Sequence, residues 1–147
     1  MRRLLLLLMV VGLAMPLMGQ EPTDEEKPIN ATKVDQLPTF KNGDLQKFRL
    51  WVIRHVTYPY ALAKKKIGGA VAVAFVVEKD GSVSNVEVIH SAHPLLDKEV
   101  VEAVQKSPKW KPGIQKGRAV RVRYILPVSF SPKAANPVRY PVQPPKQ

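Results

Sequence analysis

The chain has 147 residues, with 23 Lys and Arg against 12 Asp and Glu, a formal net charge of +11 and no cysteine. That length holds one domain with tails, and the missing cysteines exclude a disulfide framework or a thiolate metal site. A basic balance invites a nucleic-acid reading, against which the N-terminus argues.

Arg2 and Arg3 precede an apolar run from Leu4 to Met18, interrupted by Pro16 and followed by Gly19 and Gln20. A positive start, a short apolar stretch and a small residue before a polar one describe a secretory signal over residues 1–19. Leu17 stands where a small residue is preferred, so an uncleaved anchor is the alternative. The run is shorter than the ~20 apolar residues of a membrane span. Cleavage removes only Arg2 and Arg3 and leaves +9. An exported protein meets anionic envelope polymers, lipid headgroups and acidic protein loops rather than nucleic acid.

Residues 20–43 are polar, with Glu21, Asp24, Glu25 and Glu26, and predict a flexible tether. Asp44 suits the N-cap of a helix whose apolar residues Leu45, Phe48, Val52 and Val56 recur at three- and four-residue steps. Tyr58-Pro59 ends it, since the residue before proline is pushed out of the helical region. Pro59 suits the start of a short second helix through Ala61 and Ala63, which Gly68-Gly69 stops.

Val71, Val73, Phe75 and Val77 alternate with Ala70, Ala72 and Ala74, the pattern of a strand. Asp80-Gly81 predicts a tight turn, with Val83 to His90 returning antiparallel. Val83 breaks parity with Val86 and Val88, which predicts a bulge near Ser84-Asn85. Pro94 opens a further helix with Leu96, Val100, Ala103 and Val104 on one stripe. Beyond Trp110, residues Val120, Val122, Tyr124, Leu126, Val128 and Phe130 face one side of a last strand; Arg121, Arg123, Ile125, Pro127 and Ser129 face the other. Residues 131–147 carry five prolines and predict an extended, disordered tail. The resulting fold class is α+β: a small antiparallel sheet, made of a hairpin plus a C-terminal edge strand, with two main helices on one face.

Pro127 has no N–H and cannot sit mid-ladder between two neighbours, which makes the last strand an edge. Its outward arginines fit the charged protection of exposed edges. The same edge can take a partner peptide as an added strand; a blunted, non-functional edge is the other reading.

His90, Ser91, His93 and Asp97 fall within eight residues, but they straddle a strand end and a helix start. Ser91 or His93 reads as a helix cap rather than as part of a triad or metal site. Trp110, beside Pro112-Gly113, reads as a plug of its loop onto the core, with a glycan-stacking platform as the alternative. No catalytic set and no cofactor are expected.

Taken in order, Tyr58-Pro59, the strand from Gly69 to Val77, Asp80-Gly81, the helix start Leu95-Leu96-Asp97, Trp110-Lys111-Pro112-Gly113 and the ending from Pro127 to Phe130 resemble the C-terminal domain of TonB, the energy-coupling protein of Gram-negative envelopes. The resemblance runs from about Phe48 to Phe130, and the ordered set carries it rather than any single piece. The form is similar to the short variants common in Bacteroidetes-type bacteria. It implies a TonB-like domain over residues 44–130 that adds the TonB box of an outer-membrane transporter to its last strand, in nutrient and siderophore uptake from the periplasm.

The implied contacts are His55, Val56, Thr57 and Tyr58 ahead of the Tyr-Pro pair, and Arg121, Val122, Arg123, Tyr124 and Ile125 on the strand. A full TonB has an uncleaved anchor and a long spacer. Here about 25 residues separate the apolar run from the domain and reach ~85 Å at most. Inner-membrane motor proteins are therefore implied as partners only where residues 1–19 are retained. The alternative is an exported scaffold module that docks through its lysines to peptidoglycan or another envelope protein without energy transduction.

Overall fold

A computed structural model of the chain describes residues 27–132. The signal or anchor over residues 1–19, the tether residues 20–26 and the tail beyond residue 132 lie outside the described residues.

Helix α1 spans Leu45–His55. Its start is set by Asp44, whose carboxylate accepts from the backbone N–H groups of Gln46 and Lys47 at 3.0 and 3.2 Å, satisfying two donors the first turn leaves open. Helix α2 is a single turn, Tyr60–Lys64. Strands β2 (Gly69–Val77) and β3 (Val83–His90) form the expected hairpin. Helix α3 spans Pro94–Gln105, with the ring Nδ1 of His93 accepting from the N–H of Leu95 at 3.2 Å. Strand β6 spans Val122–Phe130.

The bulge expected near Ser84-Asn85 is present. Val76 faces Ser84 while Ala74 faces Glu87, leaving Asn85 at a φ of 49°. A second shift lies between Ala72 and Val73. By contrast, β6 pairs with β2 without a break, from Gly69 opposite Phe130 to Val77 opposite Val122. One sheet face carries Val71, Val73, Phe75, Val77, Val122, Leu126 and Val128, all fully buried with Phe48 and Val52 of α1 and Leu96, Val100 and Val104 of α3. Helices therefore cover a single face, as the alternation requires.

Two features were not expected. Strand β6 is preceded by a small hairpin, β4 (Gly113–Gln115) and β5 (Arg118–Val120), turning through Lys116 and Gly117 at φ of 49° and 75°. The last strand therefore begins at Val122 rather than Val120. Residues 27–43, expected within the flexible tether, are laid against the domain. Ile29–Asn30 form a two-residue strand β1 parallel to β6, so the sheet order is β1-β6-β2-β3. Phe40 is 1 % exposed, its ring 4.9 Å from Phe48 and 5.3 Å from Trp110. The polar composition of the segment hid one large apolar side chain; burying a Phe stabilises by roughly 1.5–3 kcal/mol, and it acts with the backbone bonds of Gln36 to Ile114 and Thr39 to Lys111.

Candidate functional site

Strand β6 is flanked by β2 along its whole length on one side. On the other, among the described residues, it meets only β1, at Val122 and Arg123. The N–H of Ile29 donates to the carbonyl of Arg121 at 2.8 Å, which fixes which backbone groups point outward. Backbone polar groups alternate along a strand, so those of Arg123, Ile125, Pro127 and Ser129 face away from β2. Pro127 thus sits where its missing N–H costs the β2 ladder nothing. Among the described residues, the outward side from Tyr124 to Phe130 is open.

The opposite sheet edge, β3, is interrupted twice by its bulges. Bulges twist an edge away from flat pairing, which leaves β6 as the regular edge of the two.

The strand residues named from the sequence divide by this parity. Val122 and Tyr124 bury their side chains and turn their backbone groups toward β2. Arg123 and Ile125 present backbone outward, and the Ile125 side chain is 48 % exposed. Arg121 presents its carbonyl, already taken by Ile29, while its guanidinium forks onto Glu78 with N–O distances of 2.8 and 3.0 Å. That pair holds the Glu78 carboxyl below the usual carboxylate range, with Arg121 as the principal cause. Its effect is to tie the start of β6 to the end of β2.

Of the other named residues, Tyr58 sits at the far end of β6. Tyr58 is buried, its hydroxyl donating to the carbonyl of Ile67 and its ring 5.6 Å from Phe130. Val56 is buried too, and the N–H of Thr57 donates to Glu99 Oε2 at 3.0 Å. His55 stacks on Trp51 with ring centres 4.0 Å apart, its Nδ1 donating to the Trp51 carbonyl at 2.7 Å. Tyr58 and the strand residues are thus not one cluster. They bracket the open stretch from opposite ends of a strand about 27 Å long at ~3.4 Å per residue.

What the sequence reading missed is the occupant of the Arg121–Arg123 end. Beside it lies a half-open cavity of about 540 Å³ lined by Ile29, Lys79, Gln115, Lys116, Arg118, Ala119 and Val120, a positively charged surround. The signal for the β4–β5 hairpin was available in Gly117 between two short apolar-polar alternations. No comparable signal marks Ile29-Asn30.

The histidine cluster is accounted for by local structure. Ser91 donates to Asp97 Oδ2, the N–H of Ala92 donates to Asp97 Oδ1 at 3.2 Å, and His93 caps α3. Trp110 is 4 % exposed, so it is the plug and not a stacking platform.

Tyr124 gives a pH prediction. Burial, assisted by the nearby charge of Asp44, pushes its phenol up to about 12, whereas an unfolded tyrosine ionises near ~10. Between these values the unfolded chain releases the proton first, so this contribution is complete below pH ~10 and is lost as pH rises through about 12. Alkaline unfolding curves of the protein and of Tyr124→Phe are expected to show a shallower decline for the variant over that window.

Residues 54–132, more than half of the chain, match the family described as Gram-negative bacterial TonB protein C-terminal. Among solved structures the chain is similar to the solution structure of residues 194–285 of Helicobacter pylori TonB, with 23 % identity and a TM-score of 0.47, covering 61 % of this chain and 95 % of that one. A longer form of that domain, residues 179–285, gives 24 % identity and a TM-score of 0.48, covering 59 % and 78 %. The C-terminal domain of Pseudomonas aeruginosa TonB gives 24 % identity and a TM-score of 0.46, covering 55 % and 82 %. No curated protein matches the chain.

Proposed function

The chain belongs to the family of Gram-negative bacterial TonB C-terminal domains, and from that premise we propose that it is a periplasmic module that recognises outer-membrane transporters in nutrient uptake. Recognition is by strand addition: the transporter's TonB box lies along the open side of β6, hydrogen-bonding to the outward groups of Ile125, Pro127 and Ser129. Tyr58, beside Phe130, and His55 to Thr57 before it in the chain meet the residues of the partner that run past the strand.

The observation that supports this most is the unbulged, open edge from Tyr124 to Phe130, with a large apolar side chain exposed at Ile125. Each main-chain bond nets about 0.5–1.5 kcal/mol, so a five- or six-residue strand binds weakly to moderately and gains from apolar contact with Ile125. Recognition of this kind needs no catalytic group.

The test is an amide chemical-shift titration of the labelled protein with a synthetic N-terminal segment of a TonB-dependent transporter from the same envelope. The largest shifts are expected at Ile125 and Ser129. Shifts gathered instead on Lys64, Lys65 and Lys66, and lost on adding salt, would replace this reading with docking to an anionic envelope polymer.

A further inference from the structure

The chain's own N-terminal segment occupies the start of the same edge, and it is held unevenly. Residues 35–40 are well secured. Gln36 and Ile114 exchange N–H to carbonyl bonds at 3.0 Å, and Thr39 and Lys111 do so at 3.0 and 2.9 Å. Asp35 accepts from the N–H of Lys116 and donates its own N–H to Gln115 Oε1, both at 2.9 Å. Phe40 closes the run inside the core.

Residues 28–34 are held more lightly: the N–H of Ile29 donates to the Arg121 carbonyl at 2.8 Å, and Ala31 and Val34 pack only at the margin of the core. No residue of this segment is buried. Ile29 borders the 540 Å³ cavity, so one side of its side chain lacks packing partners. The pairing with β6 covers only two residues, and the 3-10 turn that follows, Ala31–Lys33, has no side-chain cap.

We infer that residues 27–34 form an internal strap that competes with the partner strand for the Arg121–Arg123 end of β6, and that full engagement of the edge displaces β1 while Phe40 stays in place. This rests on the reading of β6 as the partner edge and adds its regulation. A tethered strap acts at the high effective concentration of a short linker. It therefore lowers the apparent affinity of any competing strand by the fraction of molecules in which β1 is docked. A partner reading only Tyr124 to Phe130 escapes the competition; one that extends to Arg121 must displace Ile29 and Asn30.

The experiment uses the full chain, which has no cysteine of its own, and a synthetic peptide of its residues 27–34 as the competing strand. Asn30 and Arg123 are opposite one another in the register, within the reach of a disulfide. The double variant Asn30→Cys with Arg123→Cys is a reversible lock. A second variant, Ile29→Pro, removes the N–H that reaches Arg121 and alters no buried side chain.

Binding is read by NMR at the amide of Arg123 in the Ile29→Pro and unaltered proteins, and at that of Ile125 in the locked pair. Ile29→Pro is expected to bind the peptide about tenfold more tightly than the unaltered protein, the equivalent of one or two net hydrogen bonds. The oxidised lock is expected to exclude the peptide, and reduction to restore binding. Equal binding by Ile29→Pro and the unaltered chain, by oxidised and reduced lock, or by none of the four, would overturn the strap. The transporter titration uses a different peptide on the unaltered chain and is read at Ser129, at the end of β6 away from β1, so failure there and failure here are separate results.

Discussion

Ile125→Pro is expected to reduce binding of a transporter segment by at least tenfold while leaving the domain folded. The asymmetry follows from the backbone parity of β6. The N–H of Ile125 points away from β2, so removing it takes no bond from the β6–β2 ladder, whereas an added strand loses a donor near its middle. The proline ring also intrudes where the partner backbone would lie. The same strand already carries Pro127 at an equivalent parity position, which shows that the local backbone accommodates the ring. One lost bond nets about 0.5–1.5 kcal/mol, and breaking the register on either side raises the loss above the tenfold that 1.4 kcal/mol represents.

A control separates edge from side chain. Ile125→Thr keeps the N–H and the β-branched shape but removes apolar contact, so its binding should fall less than that of the proline variant. Partner affinity measured by calorimetry, alongside the urea midpoint of each variant, decides the matter. A proline variant that binds normally would mean that the partner is read elsewhere.

The main elements were legible because each was written in a short-range signal. Asp44 before a three-four apolar stripe gave α1, the valine alternation with Asp80-Gly81 gave the β2–β3 hairpin, and the broken parity at Val83 gave the bulge. The argument from Pro127 to an open edge also held for most of β6, because a proline's missing donor is a local fact with a topological consequence.

The strap was not legible. Ile29-Asn30 is too short to show a period, and the acidic residues before it dominate the composition. What orders the segment is Phe40, an isolated aromatic whose partners Phe48 and Trp110 come from α1 and from the loop after α3. Contacts so distant in sequence leave no periodic trace. For the candidate site the same limit applied in reverse. Of the two expected contact segments, 55–58 has Tyr58 beside Phe130 and 121–125 covers the start of β6, where Arg121 pairs its guanidinium with Glu78.

Trp110→Ala is expected to be the most damaging single change in the folded core. The indole meets Phe40, Phe48, Phe75 and Tyr124 at ring distances of 5.3, 4.8, 5.9 and 5.7 Å. It joins the Phe40 segment, α1, β2 and β6, and its Nε1 donates to Ser107 at 3.1 Å. Truncating a buried Trp to Ala costs about 3–5 kcal/mol, against about 5–15 kcal/mol for the whole stability of a domain. A large fall in the urea midpoint is therefore expected.

Gly81→Ala attacks the same junction from the other side. Gly81 has a φ of +85°, and an added Cβ would lie 1.9 Å from the Trp110 carbonyl, while the Gly81 carbonyl accepts from the Trp110 N–H at 2.8 Å. The β2–β3 turn must move or the Trp110 loop must lift. Because both changes disturb one junction, their combined cost should be less than the sum of the two. Strict additivity would mean that Trp110 and the turn act independently, against the geometry. Trp110→Ala should also free Phe40, so amide exchange in residues 35–40 should rise above that of β2 before global unfolding. Equal exchange in both segments would assign the ordering of residues 35–40 to their backbone bonds alone.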